Sequence, residues 1–142
     1  MDIRDIYSRS MKLSASHLFL NDKMISLEHY MDKNSRVWDD EEKSKYIESI
    51  LLNLPITDFV LFEDRSDTYK VIDGLNRLNA INDFIHDRYV LKNLDFFNLS
   101  NDKKFSELEL PYQRRITEKR LNLLVIELYD YQLTKYVINR YF

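Results

Sequence analysis

The stretch VIDGLNRLNAI, residues 71–81, decides how this sequence folds. Its apolar residues follow the two-residue period of a strand up to Asp73 and a helical period of 3.6 from Gly74 onward. Gly74 is the only glycine among 142 residues, where average usage would give on the order of ten. We therefore expect Asn and Asp to form most tight turns, and we expect Gly74 to stand where the backbone or a ligand requires it.

The composition is that of a soluble protein of about one domain, with 44% hydrophobic and 32% charged residues. No apolar run approaches the roughly 20 residues of a membrane span, and the charged N-terminus lacks a secretory signal. A cytoplasmic location is the expectation. The chain has no cysteine, which excludes disulfides, thiolate zinc sites and a cysteine nucleophile. His17, His29 and His86 show no close metal-ligand spacing. We expect a single domain over 1–142, with 1–12 as a loose arm.

The first half of the chain predicts a helix and a hairpin. In WDDEEKSKYIESILLNLP, Asp39 and Glu42 form a capping box, and Pro55 is expected to stop the helix. An apolar stripe follows the cap and comprises Ile47, Ile50, Leu51 and Leu54. DFVLFED and TYKVID are typical of two strands joined by a turn near Ser66.

The second half predicts further helices and one strand. A helix runs from Gly74 to about His86, with Leu78, Ile81, Phe84 and Ile85 on its apolar side. Tyr89 to Leu91 is expected to be a short strand, and Leu94, Phe96 and Phe97 are expected in the core. KKFSELELPYQRRITEKR predicts two short helices, LNLLVIELYD a strand covered on both faces, and YQLTKYVINRYF a closing helix. The predicted fold class is α+β, a small mixed sheet with surrounding helices.

The junction at Gly74 has the features of an anion site. A helix N-terminus offers unpaired amides and a positive dipole end, and glycine lets a phosphate approach the backbone. Arg77 could bind two phosphate oxygens, and Asp73 could hold magnesium or orient a water. Asn76 could donate a hydrogen bond to a phosphate or sugar. The alternative is ordinary turn chemistry, because Asp-Gly before a helix is common.

Four segments occur together in the order and spacing of a known family: RVWDDEEKSKYIESILLNLPI, VLFE, YKVIDGLNRLNAINDFI and YVINRY. The sequence resembles the ParB/sulfiredoxin-like domain at the N-terminus of GmrSD-type, modification-dependent restriction proteins. The resemblance runs from about Ile25 to the last residue. Asp73-Gly74-Leu75-Asn76-Arg77 is similar to that family's D-G-Q-Q-R box, and the glycine and arginine are similar to G-x-x-R-x-x-A of the wider ParB superfamily.

The resemblance implies a ParB/sulfiredoxin-like fold and a role in a restriction or phage-defence system. It also implies binding of a nucleoside triphosphate, with Mg²⁺ as the expected cofactor, and some members of the family are NTPases. Carried over by position, Asp73, Gly74, Asn76 and Arg77 are the expected pocket residues, with Asp73 and Arg77 as catalytic candidates. The nucleotide-binding candidates also include Arg36, Trp38, Glu48 and Ser49. Trp38 and Glu48 could equally be a core aromatic and a helix-surface acid.

Three departures from the family pattern matter for function. Leu75 and the shorter Asn76 replace the two glutamines of the family box. The Gln-Arg pair that usually precedes the tryptophan is not evident before Trp38, although Arg36 could take its place. The chain ends at Phe142 without an HNH-type region, so nuclease activity is not expected of these residues, and a nuclease domain or protein is a possible partner. A sulfiredoxin-like redox activity is excluded because there is no cysteine.

A basic cluster in PYQRRITEKR leaves a second function open. Net charge is −3, so the chain lacks the general positive field of many DNA-binding proteins. The cluster could be a solvated helix face or a contact for DNA. A degenerate module that binds DNA or a protein without catalysis is therefore the alternative to a nucleotide site. The cluster comprises Arg114, Arg115, Lys119 and Arg120.

Overall fold

The computed structural model describes residues 6–20, 25–29, 36–63, 69–128, 136 and 139–140. Five strands form one sheet in the order β1-β5-β3-β4-β2. These strands are β1 (Ile6–Ser14), β2 (Ile25–His29), β3 (Phe59–Glu63), β4 (Tyr69–Asp73) and β5 (Arg120–Leu128). The pairs β1–β5 and β3–β4 are antiparallel, whereas β2–β4 and β3–β5 are parallel. The predicted α+β class with a small mixed sheet is confirmed.

Four helices accompany the sheet: α1 (Ala15–Phe19), α2 (Asp40–Leu51), α3 (Leu75–Ile85) and α4 (Leu110–Thr117). Short 3-10 turns at Asn98–Ser100 and Phe105–Glu107 precede α4. The predicted pair of short helical segments before β5 is thereby confirmed, and Pro111 lies in the first turn of α4. Within the described ranges, no helix is long and apolar enough to cross a membrane.

One core joins the helices to the sheet. The apolar stripes of α2 and α3 are buried, as predicted, apart from Leu54. The same core takes Phe59 and Leu61 of β3, and Leu121, Leu123 and Val125 of β5. Successive strand residues point to opposite faces, and Val60 and Phe62 on the other face of β3 are also buried. The central strand β3 is therefore covered on both sides.

The helix α2 starts as predicted but ends earlier. The capping box of Asp39 and Glu42 is present. Asn53 adopts a positive φ of 58°, and the amides of Asn53 and Leu54 donate to the carbonyls of Ile50 and Ser49 at 2.9 and 3.0 Å. This is the helix-ending arrangement usually built on glycine. The prediction that Pro55 stops the helix is wrong, because Asn53 has already turned the chain.

Asn and Asp take the turns, as the glycine count predicts. Every non-glycine residue with positive φ in the described structure is one of these two types: Asn53, Asp87, Asn93 and Asp102. Their short side chains tolerate the left-handed conformation better than other residues do. The hairpin β3–β4 is confirmed, whereas its turn near Ser66 lies outside the described residues.

Four expectations need correction. The arm predicted over 1–12 is, from Ile6 on, the edge strand β1, because nine consecutive positions pair with β5. Residues 89–91 form no strand. Phe96 is 72% exposed, although Leu94 is buried as predicted and Phe97 packs against the core. Strand β5 is covered on both faces only at Val125 and Ile126, since Asn122 and Leu124 are exposed. Of the closing helix, the structure describes only residues 136, 139 and 140.

Candidate functional site

Gly74 connects the end of β4 to the start of α3 and needs to be glycine for two reasons. Its φ is +106°, which L side chains rarely adopt. A Cβ atom here would lie 2.5 Å from Cδ1 of Phe59 and 3.0 Å from Nη2 of Arg77. Backbone conformation and close packing therefore both account for the only glycine of the chain.

Arg77 turns back from α3 and covers Gly74. Its guanidinium lies 4.5 Å from the centre of the Phe59 ring. Nη1 donates to the carbonyl of Thr57 at 2.9 Å and also to the Thr57 hydroxyl. Nη2 has two longer contacts, 3.4 Å to the carbonyl of Asp58 and 3.8 Å to Oδ2 of Asp73. The side chain is 17% exposed. One edge of the guanidinium is thus anchored to segment 57–58, and Nη2 is the less engaged nitrogen.

Asp73 lies at the rim of this arrangement. Its carboxylate is 63% exposed, and Oδ2 is 3.8 Å from Nη2 of Arg77. The described residues contain no cluster of three His, Cys, Asp or Glu side chains able to hold a metal. Magnesium bound with a nucleotide commonly takes one or two protein carboxylates, the rest of its shell being phosphate oxygens and water. Asp73 alone fits that role, but it does not fit a metal site made only of protein groups.

A shallow cavity of about 220 Å³ opens where these residues meet. It is lined by Trp38, Ile72, Asp73, Gly74, Leu75, Asn76 and Arg77. The first turn of α3 forms part of its wall, and no side chain in the described structure caps that turn. Ser14 caps α1 and Asp39 caps α2, whereas α4 resembles α3 in having no capping side chain among the described residues. Uncapped amides and the positive end of the helix dipole are therefore available at the cavity.

Asn76 ties a distant segment to the cavity. Its Nδ2 donates to the carbonyl of Arg36 at 2.9 Å, and its Oδ1 accepts from the amide of Trp38 at 3.0 Å. Trp38 is thereby held at the cavity wall, with its ring centre 5.9 Å from that of Tyr46. The side chain of Asn76 is engaged with the protein itself, so a direct contact to a ligand stays a prediction.

Arg36 lies beside the cavity but pairs with the start of α2. Its two terminal nitrogens each donate to a carboxylate oxygen of Glu42 at 2.6 Å. This hydrogen-bonded pair raises the pKa of Arg36 and lowers the pKa of Glu42. Arg36 is exposed and is not among the residues of the cavity wall. Its proposed part in ligand binding is untested.

Glu48 and Ser49 do not line the cavity. Glu48 is buried, and its carboxylate accepts from the backbone amides of Asp95, Phe96 and Phe97 at 3.1, 3.0 and 3.2 Å. The hydroxyl of Ser49 donates to the carbonyl of Lys45 at 3.1 Å. Glu48 therefore organises the loop before α4 and is not the helix-surface acid considered as an alternative. Its predicted part in nucleotide binding stays a prediction.

Three residues that support Arg77 were missed in the sequence. Thr57 and Phe59 hold its guanidinium, and Tyr46 lies close enough for Arg77 to influence its titration. The Tyr46 hydroxyl is buried and has no hydrogen-bond partner among the described residues. Burial raises the pKa of Tyr46 to about 12, although the positive charge of Arg77 opposes the rise. The only sequence signal was apolar periodicity, which predicts burial but not which side chain meets the arginine.

The basic cluster lies at a different place. Arg114, Arg115, Lys119 and Arg120 line a second cavity between the end of α2 and α4. None of them lines the cavity at Gly74. The structure thus groups most of the predicted nucleotide-site residues in one place and the predicted nucleic-acid residues in another.

The fold and the site define an α+β domain with a shallow cavity at a strand-to-helix junction. A glycine forms this junction, and an arginine covers the glycine. The family model of the N-terminal domain of GmrSD restriction endonuclease matches residues 35–141. The chain belongs to this family, and the resemblance found in the sequence is confirmed. No curated protein and no solved structure matches the chain significantly.

Proposed function

We propose that the cavity at Gly74 binds the phosphate groups of a nucleoside triphosphate together with Mg²⁺, and that the domain is a nucleotide-dependent regulator. Family membership supports a role connected with restriction and defence. The chemistry of the site supports the finer assignment to a nucleotide.

The uncapped start of α3 beside Arg77 is the observation that carries this proposal. A helix of eleven residues begins there with no capping side chain among the described residues, whereas α1 and α2 are capped. Helix α4 is also uncapped, but Pro111 in its first turn removes one amide donor. Free amides at such an end suit phosphate oxygens. Nη2 of Arg77 lies beside the same backbone, and a guanidinium can bind two oxygens at once.

The remaining residues have complementary roles in the proposal. Asp73 is exposed at the rim and would hold magnesium through one carboxylate while the ligand supplies phosphate oxygens. When bound, the ion would neutralise phosphate charge. Trp38 offers an aromatic surface at the wall on which a nucleobase can stack.

Hydrolysis is a second part of the proposal and makes a stronger demand on Asp73. Phosphoryl transfer depends mainly on positioning and charge stabilisation. Arg77 would stabilise charge on the phosphate, and Asp73 would orient a water or the ion. Because the cavity wall has one carboxylate among its described residues, we expect binding to be readily measurable and turnover to be slow.

The only tryptophan of the chain makes the binding test direct. Trp38 emission is followed while ATP, GTP and CTP are added with and without Mg²⁺, and melting is measured in parallel. At a hundred times Kd, a ligand should add about 2.7 kcal/mol to the free energy of unfolding. Absence of any response to all three nucleotides at millimolar concentration would contradict the proposal.

Two variants separate the roles of the site. Arg77→Lys keeps the charge but loses the planar fork, so affinity should fall at least about tenfold. Asp73→Asn should abolish the magnesium dependence and phosphate release while leaving binding without magnesium. Arg88→Gln is the matched control, because Arg88 pairs with Asp83 near the other end of α3. An equal loss in this control would show that the effect is not specific to the cavity.

A further inference from the structure

A groove between the end of α2 and α4 carries a concentration of positive charge. Its volume is about 620 Å³. The residues that line it are Ile50, Asn53, Pro111, Arg114, Arg115, Glu118, Lys119 and Arg120. Four cations and one acid give this surface a charge of +3, while the other 17 basic and 23 acidic residues of the chain sum to −6. Charge is therefore segregated in a protein whose net charge is negative.

Arg115 and Lys119 are held by backbone carbonyls at the end of α2 and just after it. Nη1 of Arg115 donates to the carbonyl of Leu51 at 2.5 Å, and Nζ of Lys119 lies 3.4 Å from the carbonyl of Leu54. A helix C-terminus carries partial negative charge, which these two side chains offset. These hydrogen bonds engage Arg115 and Lys119, whereas the other two cations have no described partner.

Arg114 and Arg120 have no partner in the described structure. Both are exposed, and neither side chain makes a hydrogen bond or ion pair with a described residue. Glu118 is the single acid of the groove, and it is exposed as well. Two exposed guanidinium groups therefore line the groove from adjoining elements, the end of α4 and the start of β5, beside two further cations that are hydrogen-bonded.

We propose that this groove binds the phosphate backbone of double-stranded DNA. Guanidinium groups match phosphate oxygens in pairs, and three of the four cations are arginines. None of the described lining residues is aromatic, so this part of the groove offers no stacking platform of the kind used for single strands. Its apolar members are Ile50, which is buried, and the exposed Pro111, so the described groove presents no large exposed apolar side chain of the kind that enters a membrane. The binding is independent of base sequence and separate from the nucleotide cavity.

The salt dependence of DNA binding measures the number of phosphates engaged. Fluorescence anisotropy of a labelled duplex of about 20 base pairs is followed against this chain at several salt concentrations. The logarithm of the binding constant falls with the logarithm of the salt concentration, with a slope of about −0.9 for each phosphate engaged. Two engaged phosphates therefore predict a slope near −1.8, and four predict about −3.6. A slope near zero, or no binding at low salt, would overturn the proposal.

The double variant R114Q/R120Q tests the location. Removing two phosphate contacts should make the salt dependence shallower, lowering the magnitude of the slope by about 1.8. Binding at 50 mM salt should weaken on the order of a hundredfold. K103Q/K104Q changes the net charge of the chain equally and lies outside the groove, so its affinity should stay within about twofold of the parent. Equal losses in both variants would show only a general effect of charge and would overturn the site.

The nature of the partner is tested by competition. Unlabelled duplex should displace the probe at lower concentration than a single strand of equal length, an acidic peptide or vesicles with anionic lipid. Stronger competition by any of these three would overturn the assignment to duplex DNA. Arg114 and Arg120 have no described contacts to lose, so R114Q/R120Q should melt with the parent. Arg77→Lys should retain DNA binding, which distinguishes this site from the nucleotide cavity.

Discussion

The side chain of Asn76 holds the backbone of Trp38 through a hydrogen bond of 3.0 Å from the tryptophan amide to Oδ1. The other end of the same amide group donates to the carbonyl of Arg36. A residue in the first turn of α3 thereby fixes a segment 38 positions earlier in the chain. The consequence for function is that the aromatic wall of the cavity depends on a residue of the Asp-Gly-Leu-Asn-Arg box.

Asn76→Ala should remove both hydrogen bonds and release Trp38. Leaving backbone groups without partners costs about 1–3 kcal/mol of the free energy of unfolding when they are buried. The bond from the Trp38 amide is partly buried, whereas the bond to the Arg36 carbonyl is exposed, so the loss should lie at the low end of this range. Trp38 emission should shift to the red because the ring gains solvent. Asn79→Ala is the control on the same helix and should change stability by less than about 0.5 kcal/mol. An unchanged emission spectrum in Asn76→Ala would show that Trp38 is held by other contacts.

Gly74→Ala should be one of the more damaging single changes in the chain. The added Cβ would meet the ring of Phe59 at 2.5 Å, and φ would remain at +106°. Backbone strain of this kind costs about 1–3 kcal/mol, and the steric clash adds to it. Urea unfolding measures the sum.

A double-mutant cycle separates those two costs. Gly74→Ala combined with Phe59→Leu should lose less stability than the sum of the single losses, because the smaller side chain relieves the clash. Strictly additive losses would indicate that the backbone conformation, and not Phe59, is the reason for glycine.

Local signals predicted most of the elements. The capping box starts α2, the change of period at Gly74 starts α3, and Asn and Asp occupy the positions with positive φ. Each of these depends on neighbouring residues. The strand proposed at 89–91 and the burial of Phe96 were wrong because an apolar residue in a loop carries no periodicity that fixes its direction.

The site was only partly predictable for the same reason. Asp73, Gly74 and Arg77 were found because strand, turn and helix follow one another in the chain. Glu48 contacts a loop 47 to 49 residues further on, and Thr57 lies 20 residues before the arginine that it binds. Sequence spacing alone cannot predict such pairs, since they are created by the packing of the sheet and helices.

Tyr46→Phe should keep or increase stability at neutral pH. The hydroxyl is buried and no described residue hydrogen-bonds to it, so its removal ends a desolvation cost of about 1 kcal/mol. If the variant loses more than about 1 kcal/mol, the hydroxyl has a partner, and Arg77 is the nearest candidate. Guanidinium unfolding at pH 7 provides the measurement.

The stability of the parent protein and that of Tyr46→Phe should respond differently to alkaline pH. Because burial raises the pKa of Tyr46 from 10.0 to about 12, the unfolded chain loses this proton first. The stability linked to the protonated hydroxyl is complete below pH 10 and is lost as the pH rises through about 12. The full loss is on the order of 2 kcal/mol. Unfolding at pH 9 and pH 11.5 should show a steeper decline for the parent than for Tyr46→Phe, and equal declines would contradict the assignment.

Glu48→Gln should destabilise the protein although it barely changes the volume of the side chain. The carboxylate is 5% exposed and accepts from three amides of the loop at 95–97. Glutamine keeps one acceptor oxygen and places an NH₂ group against at least one of these amides. Hydrogen bonds to a charged group contribute about 1.5–3 kcal/mol each, so a loss of about 2–4 kcal/mol is expected in urea unfolding.

The effect of Glu48→Gln should also be local. Amide hydrogen exchange at residues 95–97 should accelerate before the rest of the chain unfolds, because the loop opens when its acceptor is weakened. Ser49→Ala is the control on the next position of α2, where the hydroxyl bonds only within its own helix, and it should change stability by less than about 0.5 kcal/mol. If Glu48→Gln were as stable as this control, the buried carboxylate would not be what fixes the loop.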